Sequence, residues 1–284
     1  MTAVHVKPRV LMAPDAYAVR ELLEQDRPVH CVLESRLDGA PDLSPRELGG
    51  FLWGADDGSG GRLRAAIFHG GNLLPVGEDL PALEAIAGQL ARTGRGCSSI
   101  VGTADAVSVI WPVLARRWGP ARAVRNNQPF LVIDRPPDVA FDPAVRVVTP
   151  AETNRFLPAA AAMFTEEIGI PPTGYDNGAG YRARVTDLVM AGRALARFDS
   201  RGSIEFKAEI GAVSAGGAQI QGVWVRPDLR GRGLGTPAMA AVLRHALRLA
   251  PTATLYVNDY NEIARRMYQR LGMRQTHTLS TVLF

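Results

Sequence analysis

Three glycines on alternate positions, in Arg230-Gly231-Arg232-Gly233-Leu234-Gly235-Thr236, mark the stretch of this chain best equipped to hold an anion. With no Cβ in the way, successive N–H groups can turn toward one oxyanion at close range. A strand pattern at Ala218 to Val225 leads into this loop, and an amphipathic pattern to about Leu249 leaves it. The donors therefore fall at a helix N-terminus, where the helix dipole also favours a phosphate or pyrophosphate. Pro237 in the first turn gives up only an N–H that has no intrahelical partner. The spacing is neither the G-x-G-x-x-G of a dinucleotide fold nor the G-x-x-x-x-G-K-[ST] of a P-loop. An RNA-binding Arg-Gly tail would be repetitive and disordered, whereas this run joins a strand to a helix. The remaining alternative is a turn that serves only the fold.

The elements that must position the loop follow from periodicity. Upstream of it, strand patterns fall at Arg193 to Asp199 and at Ile204 to Ala212, the latter alternating Ile204, Phe206, Ala208 and Ile210 with Glu205, Lys207 and Glu209. Val145 to Val148 reads as a short strand, Thr149-Pro150-Ala151-Glu152 as a helix start, and the helix runs to about Phe164. Gly174 to Gly180 is a glycine-rich break before a second helix at Tyr181 to Ala191, and Thr252 to Val257 is the strand after the loop helix. Prolines between Asp134 and Pro150 break both periods, which puts a domain boundary there and divides the chain into 1–138 and 139–284. The first part carries strand patterns at 63–68, 98–102 and 129–133 and helical spacing at 81–93 and 107–118, a mixed α/β unit.

The strand, Arg-Gly-x-Gly-x-Gly loop and helix resemble the acetyl-CoA-binding motif of the GNAT superfamily of N-acyltransferases. Downstream, Asn261, Ala264, Tyr268 and Gly272-Met273 match that superfamily's next pattern in order and spacing, with methionine where phenylalanine is commoner. The resemblance covers roughly 145–284. Gly222-Val223-Trp224-Val225, Leu255 to Asp259 and Met163 to Gly169 look like a subgroup in which an N-terminal domain of unknown function precedes the catalytic one. The fold implied is α/β, an α+β arrangement with a mixed, largely antiparallel sheet flanked by helices; the N-terminal unit is expected to be a smaller α/β domain, a candidate degenerate copy.

The resemblance also implies roles. The backbone of Val223, Trp224 and Val225 would take the pantetheine arm, and Arg230, Gly231, Arg232, Gly233, Leu234, Gly235 and Thr236 the pyrophosphate of acetyl-CoA (coenzyme A). Asn261 would meet the cofactor arm, its plainer role being a helix N-cap. Tyr268 falls where relatives place a tyrosine that protonates the leaving thiolate. The expected reaction is direct attack of a primary amine, on a small molecule or a protein, within a ternary complex. The alternative is a non-catalytic acyl-CoA sensor or scaffold. Many relatives carry a general base on the strand before the loop, where this chain has Gln219 and Gln221, neither of which accepts a proton at neutral pH. Glu166 and Glu167 are the candidate bases, with Glu209 in reserve. At Gly70 to Gly77 the N-terminal unit lacks the arginine-glycine spacing, so it is expected to bind no coenzyme A.

Composition sets the outer limits. Of 284 residues, 46% are hydrophobic and 21% charged, which suits a folded chain of about two domains. A net charge of +4 favours a polyanionic small ligand as readily as nucleic acid, so composition does not choose between them; the expectation of no nucleic-acid partner rests on the motifs. Two distant cysteines, Cys31 and Cys97, and five scattered histidines offer no metal spacing. No apolar run is long enough to span a membrane and no secretory signal is visible, so a cytoplasmic location is expected.

Overall fold

The computed structural model describes residues 7–57, 62–172 and 177–284. The first half begins with β1 (Lys7–Val10), α1 (Ala16–Glu24), α2 (Arg27–Asp38) and α3 (Pro45–Leu48). It continues through β2 (Gly50–Asp56), β3 (Ala65–Gly70), β4 (Asn72–Val76), α4 (Leu80–Leu90), β5 (Ser99–Thr103), α5 (Ala104–Trp118) and β6 (Ala123–Ile133). The second half repeats that order without a counterpart of α3. It starts with β7 (Arg146–Val147), α6 (Thr153–Ile168), α7 (Ala179–Met190), β8 (Ala194–Phe198) and β9 (Ile204–Ser214). β10 (Gly217–Val225), α8 (Gly235–Leu249), β11 (Ala253–Tyr256), α9 (Glu262–Arg270) and β12 (Arg274–Leu283) complete it.

Among the described residues the strands form one twelve-stranded sheet in the order β1-β2-β3-β4-β5-β12-β6-β11-β10-β9-β8-β7. Read inward from either edge, the two halves have the same connectivity, and each has one parallel pair, β4 with β5 and β10 with β11. At the centre they trade strands. β6 pairs with β11 of the second half, β12 pairs with β5 of the first, and the two pair with each other, all antiparallel. The connection 134–145 contains the expected boundary near residue 139, yet the sheet runs unbroken past it.

Local chemistry explains the helix starts. Asp26, Asp79 and Thr103 each accept a hydrogen bond from the backbone N–H three residues on, capping α2, α4 and α5. Ahead of α6, the Glu152 carboxylate accepts from both the N–H and the hydroxyl of Thr149. Separate apolar clusters cover the faces of the sheet. In the second half, α8 lays Ala238, Met239, Val242, Leu243 and Ala246 on one face, while Phe156, Ala160 and Met163 of α6 join Val185 and Val189 of α7 on the other.

Three readings of the sequence need correction. α6 continues to Ile168, four residues beyond the expected end at Phe164, and so carries both Glu166 and Glu167. The alternation along β9 predicts one solvated face, whereas Lys207 and Glu209 are buried because α6 and α7 cover that side. Residues 7–56 gave no pattern that assigned β1, β2 or α1 to α3; α2 buries His30 and Glu34 among its apolar residues, which blurs the helical stripe. The glycine-rich break at Gly174 to Gly180 lies partly outside the described residues.

Candidate functional site

β10 and β11 pair at only two positions, Ala218 with Ala253 and Gln219 with Thr254, and then part. Beyond the fork β10 runs on to Val225, leaving backbone groups on that side without a strand partner, an edge where an extended amide chain can add. Val223 and Val225 pack toward the α8 side and Trp224 toward α6, so the backbone of this segment lines the fork while its side chains anchor the walls.

Just before this segment β10 bulges. Its register on β9 jumps between Gln221, opposite Glu209, and Trp224, opposite Lys207. Gly222 at the bulge has φ +58, and a Cβ there would meet Met163 Cε at 3.0 Å, Lys207 Nζ at 3.1 Å and Glu209 Oε2 at 3.3 Å. Only glycine fits both the conformation and the space. Below it lies a buried ion pair: Lys207 Nζ donates to Glu209 Oε1 at 2.5 Å, sits 5.2 Å over the Phe156 ring, and leaves Glu209 Oε2 to accept from Gln221 Nε2 at 3.3 Å. Burial drives the Lys207 pKa down, and Glu209 opposes that shift.

The glycine loop opens at the mouth of the fork. Gly231 and Gly233 have φ of +75 and +81, and no atom lies within 4 Å of where a Cβ would stand, so the glycines are demanded by backbone shape and border open space. The N–H groups of 231–234 have no acceptor among the described residues. Gly235 is different, because a Cβ there would press on Met267 Sδ at 3.3 Å, where the start of α8 meets α9. Leu234 packs into the core, Thr236 lies in the first turn of α8, and Arg232 makes no ion pair among the described residues. Free amides, a helix N-terminus and an unpaired arginine suit a pyrophosphate.

Arg230 is engaged. Its two terminal nitrogens grip Glu166 at 2.6 and 2.7 Å, and its Nε donates to the Val225 carbonyl at 3.0 Å. Glu166 also accepts from Trp224 Nε1 at 3.2 Å. The Arg230 hydrogen bonds hold the Glu166 carboxylate below its usual pKa, which makes it a poor proton acceptor. Glu167, one residue on, has the opposite character. Desolvation raises its pKa, partly offset by the Arg125 guanidinium, although half of its side chain still faces solvent. Arg125 comes from β6 and also donates to the Glu167 carbonyl at 2.7 Å.

Tyr268 sits on α9 with its ring in the core and its hydroxyl without a protein partner among the described residues. Burial, reinforced by the charge of Glu167, pushes its pKa far up, so the phenol stays protonated and keeps a proton to donate. Asn261 caps α9 by accepting from the Ala264 N–H at 3.2 Å, leaving its amide NH₂ unspent. Gln219 is buried beside the last pairing of the fork. Sequence reasoning singled out neither Arg125, which arrives from the other half, nor Lys207 as a buried cation. Glycine at 222 inside a strand pattern was the one signal available for the bulge.

The first half has the same fork but no cradle. After β4 the chain reads Gly77-Glu78-Asp79, with Asp79 paired to Arg64, and acids there would repel a pyrophosphate. Among the described residues no helix is long and apolar enough to cross a membrane, and no cluster of His, Cys, Asp and Glu could hold a metal ion.

Comparison with known proteins agrees with this geometry. A family model described as Acetyltransferase (GNAT) family matches residues 187–273, and one described as a domain of unknown function, DUF4081, matches 50–156. A curated relative, the peptidyl-lysine N-acetyltransferase YjaB of Escherichia coli, is 33% identical over 67 residues, which are 24% of this chain and 43% of that protein. The chain thus spans less than half the length of that relative. Among solved structures, a GCN5-related N-acetyltransferase from Sphaerobacter thermophilus superposes with a TM-score of 0.58 at 17% identity, covering 97% of this chain and 95% of that one. A tandem GNAT protein from the clavulanic acid biosynthesis pathway gives 0.52 at 15%, covering 98% of both. At such identities the likeness is one of fold.

Proposed function

Because residues 187–273 are a domain of the GNAT acetyltransferase family, we propose that this protein transfers an acetyl group from acetyl-CoA to a primary amine by direct attack in a ternary complex. The observation that carries the reading is the fork between β10 and β11 opening onto four unpaired amides of the glycine loop. Acetyl-CoA supplies the activated acyl group and a thiolate leaving group. The amides of 231–234 and Arg232 hold its pyrophosphate, and the backbone of Val223, Trp224 and Val225 orients the arm.

An exposed Arg230–Glu166 pair contributes at most about 1 kcal/mol, so a pyrophosphate can compete for Arg230 without a large cost. Tyr268, protonated throughout the working range, donates toward the departing sulfur. Glu167, with its raised pKa and half-open side chain, is the carboxylate fitted to accept the ammonium proton or to hold the amine. Glu166 serves the loop, and Glu209 is tied to Lys207 beneath the bulge. Much of the rate gain would come from placing amine and thioester together. A protein amine, as the name of the Escherichia coli relative suggests, and a small-molecule amine are both compatible with the half-open carboxylate.

Calorimetry is expected to give one acetyl-CoA per chain, and Gly233→Trp, which fills open space, is expected to abolish binding in a folded protein. Release of free thiol should then follow addition of lysine peptides or small primary amines. Unchanged affinity in folded Gly233→Trp would overturn the site, and binding without thiol release across a broad amine panel would leave an acyl-CoA sensor.

A further inference from the structure

The two halves treat one end of the sheet differently. At the β9–β10 turn, α2 closes the end: Glu34 accepts from the Gly216 N–H at 3.0 Å, Cys31 Sγ donates to the Gly217 carbonyl at 3.0 Å, and a Cβ at Gly216 would strike Arg27. The matching β3–β4 turn is held by Ser98, whose N–H and hydroxyl donate to the Gly71 carbonyl at 2.9 and 3.0 Å, but its Cβ side is open among the described residues. Gly71 has no atom within 4 Å of its Cβ position, and behind it opens a cavity of about 660 Å³ bounded by Phe51, Trp53, His69, Gly71, Gly94 and Arg95. That volume lies within the range of small-molecule pockets.

The walls are chemically one-sided. Phe51 stands directly across the β2–β3 ladder from His69, and Trp53 lies two residues along the same face. Phe51 is 49% exposed, so its ring face is open to a ligand. His69 stacks on Trp118 at 5.5 Å, and its Nε2 accepts from the Gly96 N–H at 3.2 Å. The neutral ring therefore carries its proton on Nδ1, as a donor with no protein partner among the described residues. Arg95 lies 4.5 Å over the Phe284 ring and makes no ion pair among the described residues, and no acid lines the cavity. The Gly94 and Arg95 N–H groups likewise have no acceptor there. Aromatic faces thus meet an arginine without an ion-pair partner among the described residues and several donors, and neither Asp nor Glu is among the lining residues.

We infer that this cavity in the N-terminal half is a second ligand site, separate from the glycine loop, that takes an aromatic carboxylate of one or two rings. The ring would lie against Phe51 and Trp53, and the carboxylate would face Arg95 and the neighbouring amides.

Calorimetric titration of the full chain with benzoate and 2-naphthoate, with 2-naphthamide as the uncharged control, tests this. One naphthoate per chain is expected, with the amide at least roughly tenfold weaker, the scale of losing one charge-assisted hydrogen bond. Arg95→Gln should weaken naphthoate by a similar factor, and Gly71→Leu, which projects into the cavity, should abolish binding. Both positions are exposed, so both variants should keep the wild-type Tm and acetyl-CoA affinity. No saturable binding at millimolar naphthoate, equal binding of acid and amide, or binding unmoved by either variant would overturn the proposal. Loss of the cavity to a dimer interface in solution would overturn it as well.

Discussion

Burial keeps the Tyr268 phenol protonated, which is what a proton donor to the leaving thiolate needs. Tyr268→Phe is expected to lower turnover roughly ten- to a thousandfold with little change in acetyl-CoA affinity, read from steady-state rates beside calorimetry; an unchanged rate with chemistry limiting would make it a packing residue. The raised pKa of Glu167 gives a pH prediction with a definite sign. If deprotonated Glu167 accepts the amine proton, turnover falls as pH drops through a value above the usual 4.5, and Glu167→Gln removes that limb while Glu166→Gln keeps it. For the ion pair under the bulge, Lys207→Met strands a buried carboxylate and is expected to cost about 3–5 kcal/mol in urea denaturation, part of which Lys207→Met with Glu209→Gln should recover. The glycine loop was legible in the sequence because its demand is local, a backbone shape that only glycine takes. Arg125 was not legible, since a strand exchange brings it to Glu167.

At the scale of elements, α6 links the cofactor side to the acceptor side. Its C-terminal turn reaches the glycine loop through Glu166 and Arg230, and its N-terminal turn is fastened by Glu152, which binds Thr149 and pairs with Arg146. The Arg146 and Thr149 contacts bring the Glu152 pKa down to about 2, from a usual 4.5. A depressed carboxylate adds stability that is fully present above the unfolded value and lost as pH falls through the folded one. Glu152→Gln should therefore cost about 1 kcal/mol near neutrality, a Tm loss of roughly 2–4 °C, and the gap from wild type should close as pH is lowered from about 4.5 toward 2. Periodicity found α4, α5, α8 and the central strands because each has one apolar face. It failed on β9, where helices cover both faces and alternation no longer reports exposure.

For the whole molecule, the exchange of β6 and β12 decides what can stand alone. A chain of residues 139–284 would keep the glycine loop, the fork and Tyr268, but β11 and β12 would lose the strand that lies between them. It is expected to be insoluble or molten by itself, and co-expression with residues 1–138 should restore acetyl-CoA binding; a monomeric, cooperatively folded 139–284 that binds the cofactor would refute this. The element patterns left a degenerate second copy as a candidate only, with too little similarity to claim it, and strand order could not be read from them, because pairing across the centre depends on contacts more than a hundred residues apart, between β5 and β12.

The same exchange bears on how the protein is made. During synthesis β5 leaves the ribosome long before β12, so its open edge, with β4 on only one side, must wait through the making of the entire second half. An unpaired strand edge is a template for mispairing. Another nascent chain on the same messenger would offer the same β6 and β12 segments, so crowded synthesis should favour strand-swapped pairs of chains over closed monomers. Slow expression, or a chaperone that occupies the β5 edge until β12 appears, should shift the yield back toward monomer.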